Sequence, residues 1–193
     1  MPRASIGFAL LGALLTGLSS GAGAAPQATK PAVNANAAVM QDFLKRVNGY
    51  VQLHQKLEGT LPKLPTQTTP QQIDVHERAL GKLIQDARKT ARPGDIFTPE
   101  MQRFLRTLLR PIFAGADGLQ IKNEIMDNEY KGNVKLVVNG RYPDDVPVST
   151  MPPQVLVALS KLPEELEYRF IQNNLILFDP HSHLIVDYMV RAF

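Results

Sequence analysis

"LEYRFIQNNLILFDPHSHLIVDYMV", residues 166–190, is the stretch whose reading decides the fold. Aromatic and branched apolar side chains recur through it, broken by two clusters of turn formers, so it reads as short strands joined by tight turns. Three strands fit: 166–172, 175–178 and 183–189. Asn173-Asn174 forms the first predicted turn, because asparagine tolerates the left-handed backbone of a two-residue hairpin. Asp179-Pro180-His181-Ser182 forms the second, with aspartate first and proline second as a type I turn prefers. The two turns predict Phe170 opposite Leu177, Leu177 opposite Leu184, and Phe178 opposite His183. One face then carries Tyr168, Phe170, Leu175, Leu177, Leu184 and Val186. A one-residue slip would scatter that set across both faces.

Upstream, the period changes from two to between three and four. Met40, Phe43, Val47, Tyr50, His54, Leu57 and Leu61 form one stripe and predict a helix over 37–58, ended by Gly59 and "LPKLP". "TPQQ" opens a second helix: Thr69 caps, Pro70 suits the first turn, and Gln72 completes a capping box. Its stripe is Ile73, His76, Leu80, Leu83 and Ala87, and "ARPGD" (91–95) stops it. Thr98 and Pro99 open a third helix, with Phe104, Leu105, Leu108, Leu109, Ile112 and Phe113 on its apolar side. A fourth, shorter helix fits 117–127. Beyond Asn133, "VKLVVN" (134–139) reads as a strand, and 153–160 as a short helix capped by Thr150. The expected fold is α+β. A helical region (37–130), its first two helices an antiparallel hairpin, packs with a C-terminal region (131–193) holding a small antiparallel β-meander.

The first 24 residues have the order of a cleavable secretory signal peptide: Arg3, an apolar run from Ile6 to Leu18, then Ala22-Gly23-Ala24. That run is shorter than the about 20 residues of a membrane span, so no stable span is expected after cleavage. Residues 25–36, "APQATKPAVNAN", read as a disordered leader. The expected location is periplasmic or secreted. The chain has no cysteine, so neither a disulfide nor lipidation through an N-terminal thiol is available, and an exported form must rely on its core. Net charge is +3, unevenly spread: residues 37–111 hold 12 Lys/Arg against 7 Asp/Glu, and residues 112–193 hold 7 against 11. The basic half suits weak contact with an anionic surface, although ordinary solvated helix faces are the favoured explanation because exposed charges are weak. No aromatic-plus-basic cluster points to nucleic acid.

Chemistry is sparsely marked. His54 and His76 stand where apolar stripes expect hydrophobes, and an antiparallel hairpin brings them to one layer. Such rings either sit at the edge of the seam with a nitrogen in water or form a pH-sensitive layer. His181 and His183, with Asp179 as third donor, are the metal candidates. The turn between them sends the two imidazoles in different directions, so no metal site is assigned. "HERAL" (76–80) has Leu80 where a zinc-protease motif needs its second histidine. There is no G-x-S-x-G, P-loop or dinucleotide fingerprint. Asp144-Asp145 and Glu164-Glu165 are neighbours on extended chain and point apart. Arg103, Arg106 and Arg110 line one side of the third helix as a candidate anion face. No catalytic residue and no cofactor are assigned.

"LPEELEYRFIQNNLILFDPHSHLIVDYM" (162–189) resembles the C-terminal segment of small uncharacterised exported proteins of Gram-negative bacteria. It is also similar to the hairpin that closes periplasmic nickel–cobalt homeostasis proteins. The shared features are a Leu-Pro lead-in, a Tyr-Arg strand, and an apolar strand ending in aspartate. This resemblance covers about 30 residues of the chain, implies a periplasmic location, and carries over no functional residue. The expected function is a non-enzymatic accessory module for an unknown protein partner, its paired amphipathic helices offering a groove. The alternatives are a metal-handling protein using His181 and His183, or an unrecognised hydrolase.

Overall fold

The computed structural model describes residues 34–127, 135–144, 146 and 151–193. The expected signal peptide and most of the leader lie outside the described residues. α1 (Ala35–Glu58) starts two residues earlier than its periodicity implies, because Asn34 Oδ1 accepts from Asn36 N and caps it. α2 (Pro70–Ala87) opens with the capping box complete: Gln72 N donates to Thr69 Oγ1 and Thr69 N to Gln72 Oε1. α3 (Pro99–Ala114) is capped by Thr98 and buries Met101, Leu105, Leu109 and Phe113, one residue per turn. α4 (Gly118–Asp127) follows. The C-terminal turn of α1 lies beside the second turn of α2, where Glu58 and His76 approach to 3.9 Å.

The C-terminal region is a four-stranded antiparallel sheet in the order β1-β4-β3-β2, with α5 (Pro153–Ala158) between β1 and β2 in the chain. β2 is Glu167–Ile171, β3 Asn174–Asp179 and β4 Leu184–Met189. The fold is α+β, and residues 33–193 form one compact unit. The strand expected over 134–139 is not formed by its described residues; β1 is Gly140–Arg141 instead. Asn139 takes φ 58° and Gly140 N bonds Val137 O, a turn that rotates the chain before it can pair. α5 begins after Pro152 without a side-chain cap bond, and Thr150 lies outside the described residues.

The predicted β2–β3 register is displaced by two residues throughout, and the β3–β4 register by two beside its turn and by three beyond a bulge. The first turn is centred on Gln172-Asn173, Gln172 taking the left-handed conformation at φ 56°, so Phe170 faces Leu175 rather than Leu177. The second loop runs from Pro180 to His183, with His183 left-handed at φ 56°, so Asp179 faces Leu184 and Phe178 faces Ile185. A slip of two preserves the side of every residue. Tyr168, Phe170, Leu175, Leu177, Leu184 and Val186 therefore do share the face packed on the helices, in the main core with Phe43, Val47, Leu80, Leu105 and Leu109. The opposite face carries Ile171, Ile176, Phe178 and Ile185 under Tyr142 and Val146. A bulge beyond Phe178 and Ile185 leaves Leu177 opposite Asp187. It turns the Asp187 carboxylate toward the α2–α3 connection, where it accepts from Gly94 N, Ile96 N and Phe97 N at 2.7–3.0 Å. That carboxylate satisfies backbone donors that no helix or strand uses.

Candidate metal centre

The β3–β4 loop comes up against the buried side of α1, and one carboxylate joins them. Asp179 is fully buried. Its Oδ1 accepts from His181 N at 2.9 Å and Ser182 N at 3.1 Å, the aspartate-proline turn closing on itself. Its Oδ2 accepts from the Tyr50 hydroxyl at 2.5 Å and faces His54 Nδ1 at 2.7 Å. Tyr50 and His54 are one helical turn apart on α1, so the same helix face delivers both. α2 is able to approach the loop because Gly81 has no side chain: a Cβ there would meet Ser182 O at 3.0 Å.

Electrostatics fix the protonation pattern. Burial and the Asp179 charge raise the Tyr50 hydroxyl well above its ordinary range, so it remains a donor. Burial would raise Asp179, but the hydrogen bond and charge of His54 overcome this and hold it below the usual carboxylate range. Burial would likewise lower His54, and the Asp179 hydrogen bond and charge raise it instead. Asp179 is thus an ionised acceptor, and His54 donates to it through Nδ1. In the neutral ring this places the free lone pair on Nε2.

That nitrogen is the unusual atom of the site. His54 is completely buried, yet Nε2 has no hydrogen-bond partner among the described residues. Its neighbours are Glu58 Oε2 at 3.5 Å, four residues along the same helix, and the His181 ring, whose centroid lies 5.5 Å from that of His54. One donor atom each from His54, Glu58 and His181 lie within 4.8 Å of one another. Tetrahedral zinc with bonds of about 2.1 Å holds its ligands roughly 3.4 Å apart. The His54–Glu58 edge already has that length, and the third donor comes from His181, an exposed residue of the β3–β4 loop. A carboxylate behind a histidine whose other nitrogen faces the ion is the recurrent outer shell of such sites.

The expected residues are redistributed by this geometry. His181 and His183 part, as the turn between them implies. His183 lies between the Tyr142 and Phe178 rings, with Nε2 3.7 Å from Asp144, while His181 turns toward α1. Asp179 supports from behind, its oxygens committed to four donors. His54 and His76 meet at one layer through Glu58, whose two oxygens face them separately. His54 is not at the edge of the seam with a nitrogen in water, because the β3–β4 loop covers it. Glu58 carries no mark of its own in the sequence. The available signal is its place four residues after His54 on one helix, off the apolar stripe. The arginine row disperses: Arg103 pairs with Glu100, Arg106 donates to Val190 O and Arg191 O, and Arg110 is exposed. No helix among the described residues is long and apolar enough to cross a membrane. Comparison of the chain with protein-family models, with curated proteins and with solved structures found no match.

Proposed function

We propose that this chain is an exported protein that binds one divalent transition-metal ion of the zinc class through His54 Nε2, a Glu58 carboxylate oxygen and a His181 ring nitrogen. The observation that carries the reading is the buried, unpartnered Nε2 of His54, backed by Asp179 and aimed at two further donor groups. A buried polar atom left without a hydrogen-bond partner costs about 1–3 kcal/mol, which an ion in that position would recover. Asp179 and Tyr50 orient the imidazole; Glu58 and His181 complete the ligand set. Two imidazoles and one carboxylate suit zinc or its neighbours better than calcium or magnesium, which favour all-oxygen sites. Export follows from the order of residues 1–24 and is part of the same proposal.

The test is calorimetric titration of the metal-free protein with Zn2+. One equivalent is expected to bind, with thermal stabilisation of about 2.7 kcal/mol when free ion exceeds the dissociation constant a hundredfold. Glu58→Gln and His181→Ala change exposed or half-exposed side chains and should abolish binding while the protein remains folded. His183→Ala should leave binding intact. Equal loss from His181→Ala and His183→Ala, or no binding by the wild type, refutes the assignment. A protein-binding accessory role draws its support from Leu156 and Val157, 54% and 87% exposed on α5, a smaller basis than the converging ligands.

A further inference from the structure

The α1–α2 connection frames a cleft of about 380 Å³ beside this centre. Glu58 and His76 form one part of its wall, Leu61, Pro62 and Leu64 another, and Lys63 lines it as well. Glu58 therefore belongs to both places: Oε2 faces His54 Nε2, and Oε1 lies 3.9 Å from His76 Nε2 in the cleft. Three protein donors leave a tetrahedral ion with one free position, the pattern of sites that take an exogenous ligand. The His54 side of this centre is closed, since that ring is completely buried under Asp179. Glu58, with its side chain 39% exposed, marks the open side.

Resting on the metal reading above, we propose that the fourth position opens into this cleft, and that the cleft takes a small carboxylic acid with a short apolar tail. The carboxylate supplies an oxygen donor to the ion. Lys63 and His76 provide the cationic and hydrogen-bonding partners for its charge, and Leu61, Pro62 and Leu64 cover the tail. The volume lies at the lower end of the range for small-molecule sites, which limits the ligand to a handful of carbons beyond the acid. A larger acid, or one branched next to the carboxylate, would meet Glu58 and the loop backbone first.

The experiment uses the full protein loaded with Co2+, whose visible absorption reports coordination. Loading should give tetrahedral bands, and hexanoate should shift them with an affinity roughly tenfold or more above that of acetate, as four extra methylenes leaving water imply. Hexylamine should leave the bands unchanged. Leu64→Glu replaces a cleft residue outside the ligand set; it should keep the cobalt spectrum and lose the hexanoate response. Lys63→Gln should weaken hexanoate severalfold. A protein that acquires no cobalt bands overturns the metal reading and the cleft with it. A protein with cobalt bands that ignores hexanoate, or answers acetate equally well, overturns the cleft alone.

Discussion

Removing the Asp179 carboxylate is the most informative single perturbation of this protein. Four donors converge on it: the Tyr50 hydroxyl, His54 Nδ1, and the backbone N–H groups of His181 and Ser182. In Asp179→Ala all four lose their acceptor, and the Tyr50 hydroxyl, His54 Nδ1 and Ser182 N lose it among buried residues. Deleting one partner of a buried, hydrogen-bonded charge pair costs about 3–5 kcal/mol. For a domain of this size that lowers the midpoint of thermal unfolding by roughly 6–20 °C. Asp179→Asn should fall between: its single carbonyl oxygen can serve either the turn or the α1 pair, and its amide then faces donors with a donor. Tyr50→Phe removes one bond to a charged acceptor and should cost about 1.5–3 kcal/mol. Urea unfolding followed by circular dichroism measures all three, with the m-value checked for constancy. A loss under about 1 kcal/mol for Asp179→Ala at unchanged m-value would show that the α1–loop junction does not hold the fold together.

Gly81→Val should destabilise by about 1–3 kcal/mol in the same assay, because its Cβ would press on Ser182 O at 3.0 Å and its added methyls would crowd the Leu184 side chain already in contact. Restoration of stability by Leu184→Ala would argue against the backbone contact as the cause. Burial pushes the Tyr168 hydroxyl up to about 12, so folding favours its neutral form. A raised pKa contributes stability fully below the unfolded value of 10.0 and loses it as pH rises through the folded value. Stability should thus decline between about pH 10 and 12, and less steeply in Tyr168→Phe; equal slopes refute the attribution. Asp187→Ala should release the backbone N–H groups of Gly94, Ile96 and Phe97, seen as faster amide exchange there while Leu175 and Leu177 stay protected.

The helices were legible because their signals are local. Thr69, Pro70 and Gln72 announce α2 within four residues, and the structure forms both bonds that the motif implies. The sides of the final strands were legible too, since alternation constrains parity. Register was not. Gln172 and His183 take left-handed conformations that asparagine or glycine usually occupies, so turns read from composition lie one position off, and the pairings beside them two. The bulge at β4 left no mark in the sequence. It moves Asp187 to the helix side through the pairing of Leu177, a contact ten residues distant. The candidate centre is half legible: His54 and His181 stand out in the sequence, but nothing local in it places them beside each other. What joins them is Asp179, which looks like an ordinary turn residue and becomes an acceptor for α1 only when the chain is folded.

Tyr50 and His54 wait 129 and 125 residues for that acceptor. Contacts so far apart in the chain are reached slowly, because the intervening loop must be closed before the bond repays it. During synthesis, the first helix emerges with two polar groups that nothing yet made is able to satisfy. Their protein acceptor arrives only with Asp179. The junction between α1 and the β3–β4 loop therefore cannot close before Asp179 has been made, and a chain clipped just before that residue should behave as a collection of wet helices rather than a smaller version of the whole.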